Sequence, residues 1–154
     1  MFNRFTKEAR LVVGDSIEVA RDLGAPSVEA EHLLLAVTKG GTPVARVLGD
    51  AGLDFDGLCA ALNHEMARSL AAVGVTADEA PAFSPFVERP RLATSAKLVL
   101  ERALRVALAH NDQHIGSRHI TLGALRATTG TVPRALECAG VDRVELTKQV
   151  EAAL

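Results

Sequence analysis

Apolar residues recur at intervals of three and four along residues 6–23, at Ala9, Val12, Val13, Ile17, Ala20 and Leu23. This spacing places them on one face of a helix with about 3.6 residues per turn. Thr6 precedes the pattern, and its hydroxyl can accept a hydrogen bond from an amide of the first turn. The pattern therefore predicts an amphipathic helix over residues 6–23 with Thr6 as its N-cap.

Three shorter helices are predicted to follow. Residues 31–38 form the first of them, which the glycine pair at 40 and 41 ends. Thr42 and Pro43 combine a capping hydroxyl with a proline at the first helical position, which starts a helix that closes at Gly52. Asp54 then caps a helix that extends to about residue 70.

The chain contains an internal duplication. An offset of 87 positions carries Ala9 onto Ala96 and His32 onto His119, and an offset of 88 carries Leu48 onto Leu136. The second copy is predicted to repeat the helices, over residues 94–109, from 117, after 133 and from 142, where Asp142 and Glu145 form a capping-box pattern. We therefore expect an all-α fold of two tandem four-helix repeats related by a pseudo-twofold axis. Residues 1–154 form one domain, with repeat one at about 1–73, a linker at about 74–91 and repeat two at about 92–154.

The linker is predicted to be irregular because it contains three prolines and two adjacent acidic residues. Long loops inside compact domains are often functional. Two of the five phenylalanines, Phe83 and Phe86, lie here. Either they insert into the groove between the repeats, or they are exposed and contact a partner.

Composition narrows the class of partner. A net charge of -2 provides no electrostatic footprint for nucleic acid or an anionic membrane. With 3% aromatic residues, the chain also has few side chains on which nucleic-acid bases could stack. No apolar run is long enough to span a bilayer and no signal peptide is evident, which predicts a cytoplasmic protein. Cys59 and Cys138 lie among Ala and Leu and are expected to be reduced thiols in the core.

Candidate chemistry is sparse. Among His110, His114 and His119 the spacing crosses a helix end, so the one-face argument for a metal site fails. His32 and His119 are equivalent positions at the start of a short helix, which favours a capping role. The sequence has no Walker-type phosphate loop, no GxSxG and no CxxC motif. We expect no enzyme, no catalytic residue and no cofactor, with a metal-dependent hydrolase as a remote alternative.

Three segments resemble a known family: residues 1–6 (MFNRFT), residues 29–35 (EAEHLLL) and residues 114–120 (HIGSRHI). They resemble the Clp N-terminal domain, whose tandem units carry F-T at the start and G-T-E-H-I-L-L at the second helix, and are most similar to the ClpC type. The resemblance covers essentially the whole chain. It implies a non-catalytic module of the Clp protease system that receives unfolded substrates and adaptor proteins.

The resemblance also implies a phosphoarginine pocket in each repeat, formed by a Thr and a Glu. Carried over by position, these are Thr6 and Glu31 in repeat one, where helix N-terminal amides would favour the phosphate and the carboxylate would pair with the guanidinium. Without a ligand, Thr6 is simply an N-cap and Glu31 a first-turn charge. In repeat two Ala93 and Arg118 stand at these positions, so one pocket is expected rather than two.

A second surface implied by the resemblance binds cyclic peptide antibiotics between the two long helices. The corresponding residues are Phe2, Arg10, Lys97 and Glu101. Leu92 stands where an aromatic residue is usual, so weaker binding is expected. The alternative is an ordinary charged face with Phe2 covering the core.

Three arrangements of the function stay open. We expect the chain to act in trans as a free-standing adaptor or decoy. The alternatives are that it delivers substrates in cis as part of an AAA+ unfoldase, or that it is an accessory subunit that docks on the Clp protease core. The expected partners are phosphoarginine-tagged or unfolded proteins, Clp adaptors, cyclic peptides, and Clp ATPase or protease subunits.

Overall fold

The computed structural model describes residues 2–76 and 86–153, which form eight α-helices, a short 3-10 helix at Phe2–Arg4 and two short strands. The all-α prediction is confirmed. The elements of repeat one are α1 Lys7–Asp22, β1 Ser27–Val28, α2 Ala30–Thr38, α3 Pro43–Asp50 and α4 Phe55–Ala72. Those of repeat two are β2 Arg91–Leu92, α5 Thr94–Ala109, α6 Ser117–Leu125, α7 Thr131–Cys138 and α8 Arg143–Ala152.

The predicted caps account for the start of four helices. The side chains of Thr6, Thr42 and Asp54 each accept a hydrogen bond from the amide three residues on, and Asp142 accepts two. One predicted start is wrong, because α7 begins at Thr131 and not after Pro133. Proline is tolerated within the first helical turn, where its missing N–H would have no partner in the helix.

The two short helices α2 and α6 form the centre of the core. They pack against each other, while α1 covers α2 and α5 covers α6. Every residue of α2 from His32 to Val37 is buried, as is nearly all of α6. At Gly123 a Cβ atom would lie 2.5 Å from the carbonyl oxygen of Val99, so α6 approaches the backbone of α5 as closely as a glycine allows. Beyond their first turns, both helices accordingly carry almost entirely apolar or small side chains.

The repeats are joined by two reciprocal strand pairings that the sequence analysis missed. Phe5 pairs with Ile115 across the repeats, and Val28 pairs with Leu92 in the same parallel sense. The offset of 87 carries Phe5 onto Leu92 and Val28 onto Ile115. Each repeat thus contributes the residue before its long helix to the segment before the other repeat's short helix. Segments of one or two residues leave no periodic signal in the sequence.

Helix α4 is about two turns longer than α8, its counterpart in repeat two, and packs against α7. Within this extension Glu65 is buried and accepts a hydrogen bond at 2.8 Å from Nε of Arg134 and one at 2.7 Å from the hydroxyl of Ser69. Burial alone would raise the pKa of Glu65, but the bonds from Arg134 and Ser69 outweigh it and hold the pKa below its ordinary value.

The predicted linker contains two phenylalanines, Phe83 and Phe86. Phe83 and the prolines at 81 and 85 lie outside the described residues, whereas the side chain of Phe86 is 74% exposed and so does not fill a groove between the repeats.

Both cysteines are free thiols and half-buried rather than fully in the core, and burial raises the pKa of Cys59. Within the described ranges, no helix combines the length and apolar character required to cross a membrane.

Candidate functional site

Two cavities lie where the repeats meet, and each takes residues from both. The Thr6 cavity, of about 430 Å³, is lined by Thr6, Glu8, Thr42 and Pro43 of repeat one and by Gly116, Ser117 and Arg118 of repeat two, among others. The Glu31 cavity, of about 520 Å³, is lined by Glu29, Ala30 and Glu31 of repeat one and by Ser95, Arg102, Thr128, Thr129 and Thr131 of repeat two, among others.

Thr6 and Glu31 therefore do not share a pocket, contrary to the arrangement expected from the sequence. The reciprocal strand pairing explains the difference, because it places the start of each long helix beside the short helix of the other repeat. A Cβ atom on Gly116 would lie 4.0 Å from Oγ1 of Thr6. Thr6 thus faces Arg118 of repeat two, and Glu31 faces the start of α5, where Ala93 replaces the threonine. Each cavity keeps one half of the expected pair.

The first amide of each short helix already has a side-chain partner from the other repeat, which the sequence pattern does not predict. The amide of Ala30 donates to Oγ of Ser95 at 2.8 Å, and the equivalent amide of Ser117 donates to Oε1 of Glu8 at 3.2 Å. Glu8 and Ser95 are themselves equivalent positions, so each long helix caps the short helix of the other repeat. The amide of Ala30 is therefore not free to bind an anion at the start of α2.

Glu29 and Glu31 make the Glu31 cavity a site of concentrated negative charge. Ser95 donates its hydroxyl to Oε2 of Glu29, and Ser27 donates to Oε1 at 3.0 Å. Burial raises the pKa of Glu31, the neighbouring carboxylates of Glu29 and Glu65 raise it further, and its own backbone amide and Arg134 act in the opposite direction. A cationic group entering this cavity would relieve the repulsion between the carboxylates.

Arg118 has a structural role in the Thr6 cavity. Its Nη2 lies 3.1 Å from Oδ2 of Asp112, and its Nη1 donates to the carbonyl oxygens of Glu151 and Ala153 at the end of α8. Cations are favourable at the C-terminus of a helix because the last carbonyls lack partners. The charge of Arg118 is therefore already compensated by Asp112 and by α8, and Glu8 adds a negative charge to the same lining.

The capping role predicted for the equivalent histidines is confirmed. Nδ1 of His32 accepts the amide of Glu29 at 2.8 Å, and Nδ1 of His119 accepts the amide of Gly116 at 2.9 Å. His119 also contacts Asp112 through Nε2 at 2.7 Å, and this bond lowers the pKa of Asp112. Burial lowers the pKa of His32, although Glu29 opposes the shift.

His110 and His114 are exposed, and the part of the chain that the structure describes holds no cluster of His, Cys, Asp and Glu suited to a metal ion.

Two adjoining grooves lie near the start of α5. The Arg10 groove, of about 510 Å³, includes Arg10, Gly14 and Glu18 in its lining, and the Lys97 groove, of about 410 Å³, is lined by Ile17, Arg89, Pro90, Arg91, Leu92 and Lys97. They share Ile17 and Arg89. Arg10 and Lys97, predicted as peptide contacts, thus lie in neighbouring depressions. Glu101 is exposed on α5 but lines neither groove, and the side chain of Phe2 is outside the described structure.

This duplicated helical architecture defines a known family. Residues 4–89 and 91–154 match the Clp repeat (R) N-terminal domain, and the chain belongs to that family. Its relatives include the chloroplastic chaperone protein ClpC2 of Arabidopsis thaliana, 34% identical over 151 residues, and the chloroplastic ClpC1 of Oryza sativa subsp. japonica, also 34% identical. The alignments cover 97% of this chain but only 14% and 15% of those proteins. Both of these relatives are ClpC proteins, so the similarity agrees with the ClpC type that the sequence segments resemble.

Solved structures share the fold. The N-terminal domain of ClpD from Arabidopsis thaliana matches with a TM-score of 0.70 at 24% identity, covering 98% of this chain and 94% of that one. The Hsp104 N-terminal domain from Candida albicans also has a TM-score of 0.70, at 18% identity and with coverage of 97% and 91%. A ClpV N-domain solved in complex with a VipB peptide has a TM-score of 0.59 at 19% identity and covers 97% and 86%.

Proposed function

We propose that this chain is a non-catalytic recognition module that binds segments of substrate or adaptor proteins for the Clp system. Membership of the family supports the proposal, since Clp N-terminal domains belong to Clp ATPases and bind substrates and adaptors. The ClpV N-domain in complex with a VipB peptide is an example of such binding in another protein. The observation on this chain that carries the proposal is the Glu31 cavity, a recess with two carboxylates and several hydroxyls.

The finer proposal is that the Glu31 cavity holds a phosphoarginine side chain. Glu31 and Glu29 offer acceptors for the guanidinium, which would also relieve the repulsion that raises the pKa of Glu31. Arg102 and the hydroxyls of Thr128, Thr129 and Thr131 line the same cavity and offer donors to the phosphoryl oxygens. Thr6 lies in the other cavity, beside Arg118, and is therefore not part of this proposed site.

Calorimetric titration with a phosphoarginine peptide tests this site. We expect one peptide per chain, and a loss of about tenfold or more in affinity for Glu31→Gln, because a charged hydrogen bond to a guanidinium is worth roughly 1.5–3 kcal/mol. Glu151→Gln is the matched control, since its side chain is exposed at the far end of α8 and lines neither cavity. Two peptides per chain, or unchanged affinity for Glu31→Gln, would exclude the assignment.

We further propose that the surface formed by Arg10 and Lys97, together with Phe2 and Glu101 as the resemblance implies, accepts a cyclic peptide antibiotic. The two adjoining grooves support this proposal, because together they offer an apolar floor at Ile17 and a flanking cation on each side. Titration with a cyclic peptide antibiotic should show weaker binding to Lys97→Gln and unchanged binding to Glu31→Gln. Equal binding to Lys97→Gln and the parent chain would argue against this surface.

The way in which the module is used is proposed separately from what it binds. An adaptor or decoy acts in trans, a segment of an unfoldase delivers its ligand in cis, and an accessory subunit docks on the protease core. Size-exclusion chromatography with purified Clp ATPase and with the purified protease ring distinguishes the accessory subunit from the adaptor. Co-elution with the protease ring alone supports an accessory subunit, whereas co-elution with the ATPase alone supports an adaptor.

A further inference from the structure

The Lys97 groove differs in charge from every other recess described above. Its lining contains three cations, Arg89, Arg91 and Lys97, and no acidic residue. The adjoining Arg10 groove is balanced, because its lining contains three cations, Arg10, Arg21 and Arg89, and three acidic residues, Asp15, Glu18 and Glu88. The chain as a whole has a net charge of -2. A local excess of positive charge in a concave site therefore stands against the overall charge of the molecule, and concave sites focus such fields.

These three cations are available to a ligand. Their side chains are exposed, and within residues 2–76 and 86–153 none of them forms a hydrogen bond or ion pair with another side chain. By contrast, Arg118 and Arg134 are held by Asp112 and Glu65. Like charges placed close together without counter-charges repel each other, and an anionic partner removes that repulsion.

The floor of the Lys97 groove is apolar. Pro90 is buried, and Ile17 and Leu92 are half-buried between the cations. Leu92 is fixed by the pairing of β2 with β1, so the floor belongs to the rigid seam between the repeats. A recess with an apolar floor and a cationic rim matches an extended peptide in which an apolar side chain lies between carboxylates, since residues two positions apart in an extended chain point in the same direction and can reach the floor and the rim together.

We infer that the Lys97 groove binds an acidic peptide segment of a partner protein, with an aliphatic residue on Ile17 and Leu92 and carboxylates on Arg89, Arg91 and Lys97. This inference rests on the proposed function as a recognition module; it shares the Lys97 groove with the proposed cyclic-peptide surface and is independent of the phosphoarginine site. Nucleic acid is disfavoured as the occupant because the cations form one short recess rather than a stripe, and the lining has no aromatic residue for stacking.

Fluorescence anisotropy with a labelled Glu-Glu-Leu-Glu-Glu peptide tests the inference on the full chain. We expect saturable binding, and roughly tenfold weaker binding of the same peptide with Gln in place of Glu. The Arg89→Gln/Arg91→Gln double variant should lose about tenfold in affinity, and Lys97→Gln a smaller factor. Arg105→Gln is the matched control, because this exposed cation of α5 lies outside the groove and should leave the affinity unchanged. Raising the salt from about 0.05 M to about 0.5 M should weaken binding of the parent chain.

Three results would overturn the inference: equal binding of the Glu and Gln peptides, an unchanged affinity in the double variant, or displacement by inorganic phosphate as effective as displacement by unlabelled peptide. Thermal unfolding of each variant verifies that it is folded before binding is measured. Glu31→Gln should retain the acidic peptide, so a failure of the phosphoarginine proposal and a failure of this one are distinguishable in the same set of proteins.

Discussion

The backbone amide of Thr6 lies 3.0 Å from the carbonyl oxygen of Ile115, a residue of the other repeat. Together with its counterpart, the bond from Ala93 to Val28 at 2.8 Å, this contact places the start of each long helix beside the short helix of the other repeat. The candidate binding cavities are consequently shared between repeats. A threonine and a glutamate that belong to one repeat in sequence therefore face different cavities.

Substitution of Gly123 tests how closely α6 packs on α5. Gly123→Ala would place a methyl group 2.5 Å from the carbonyl oxygen of Val99, so we expect a loss of about 1–3 kcal/mol in the free energy of unfolding, measured by urea denaturation. Gly14→Ala is the control, since Gly14 is an exposed helical residue with no atom within 4 Å of the added Cβ. There the better helix propensity of alanine should stabilise the chain by up to about 1 kcal/mol. Equal effects at both positions would contradict the packing described.

The buried pair between Glu65 and Arg134 predicts a dependence of stability on acid. The pKa of Glu65 is held below its ordinary value of 4.5, so its contribution is complete above that value and is lost as the pH falls through the lower pKa of the folded state. Because Arg134 is half exposed, we expect Arg134→Gln to cost only about 1–2 kcal/mol at neutral pH. Urea denaturation from pH 7 down to about pH 3 should show a shallower loss of stability in Arg134→Gln than in the parent chain. Parallel curves would argue against the pair.

His32 predicts a second, higher window of pH dependence. Burial lowers its pKa below the ordinary 6.5, and its Nδ1 must be unprotonated to accept the amide of Glu29. The unfolded chain therefore binds this proton more readily, so the contribution of His32 is complete above about pH 6.5 and falls as the pH drops through the folded-state pKa. An NMR titration of the imidazole resonances should give His32 a pKa below 6.5, and a value above it would contradict this capping geometry.

Ser95 links the two repeats at the Glu31 cavity, because its hydroxyl accepts the amide of Ala30 and donates to Glu29. Ser95→Ala should lower the free energy of unfolding by about 1 kcal/mol, as expected for the loss of a helix cap. Thermal unfolding of both variants measures this difference, and Thr94→Ala, one residue earlier on the exposed side of α5, should have a smaller effect. If both variants unfold at the same temperature, Ser95 does not cap α2.

The regular parts of this fold are predictable from the sequence because they depend on local rules. Helical periodicity, the caps at Thr6, Thr42, Asp54 and Asp142, and the repeated histidines each follow from side chains a few residues apart. The shared cavities depend instead on contacts between residues more than 60 positions apart, such as Ala30 with Ser95. A repeat offset shows which residues are equivalent, but it cannot show which repeat supplies the other half of a site.

The measurement that tests the central claim most directly is an NMR titration of the ¹⁵N-labelled chain with a phosphoarginine peptide. If the recognition site is the Glu31 cavity, which both repeats line, saturable shifts will appear together at the amides of Glu31, Ser95 and Gly130. The amides of Thr6, Gly116 and Ser117, which line the other cavity, should be unaffected. Saturable shifts confined to the Thr6 cavity, or no saturable shift at Glu31 and Ser95, would contradict the claim.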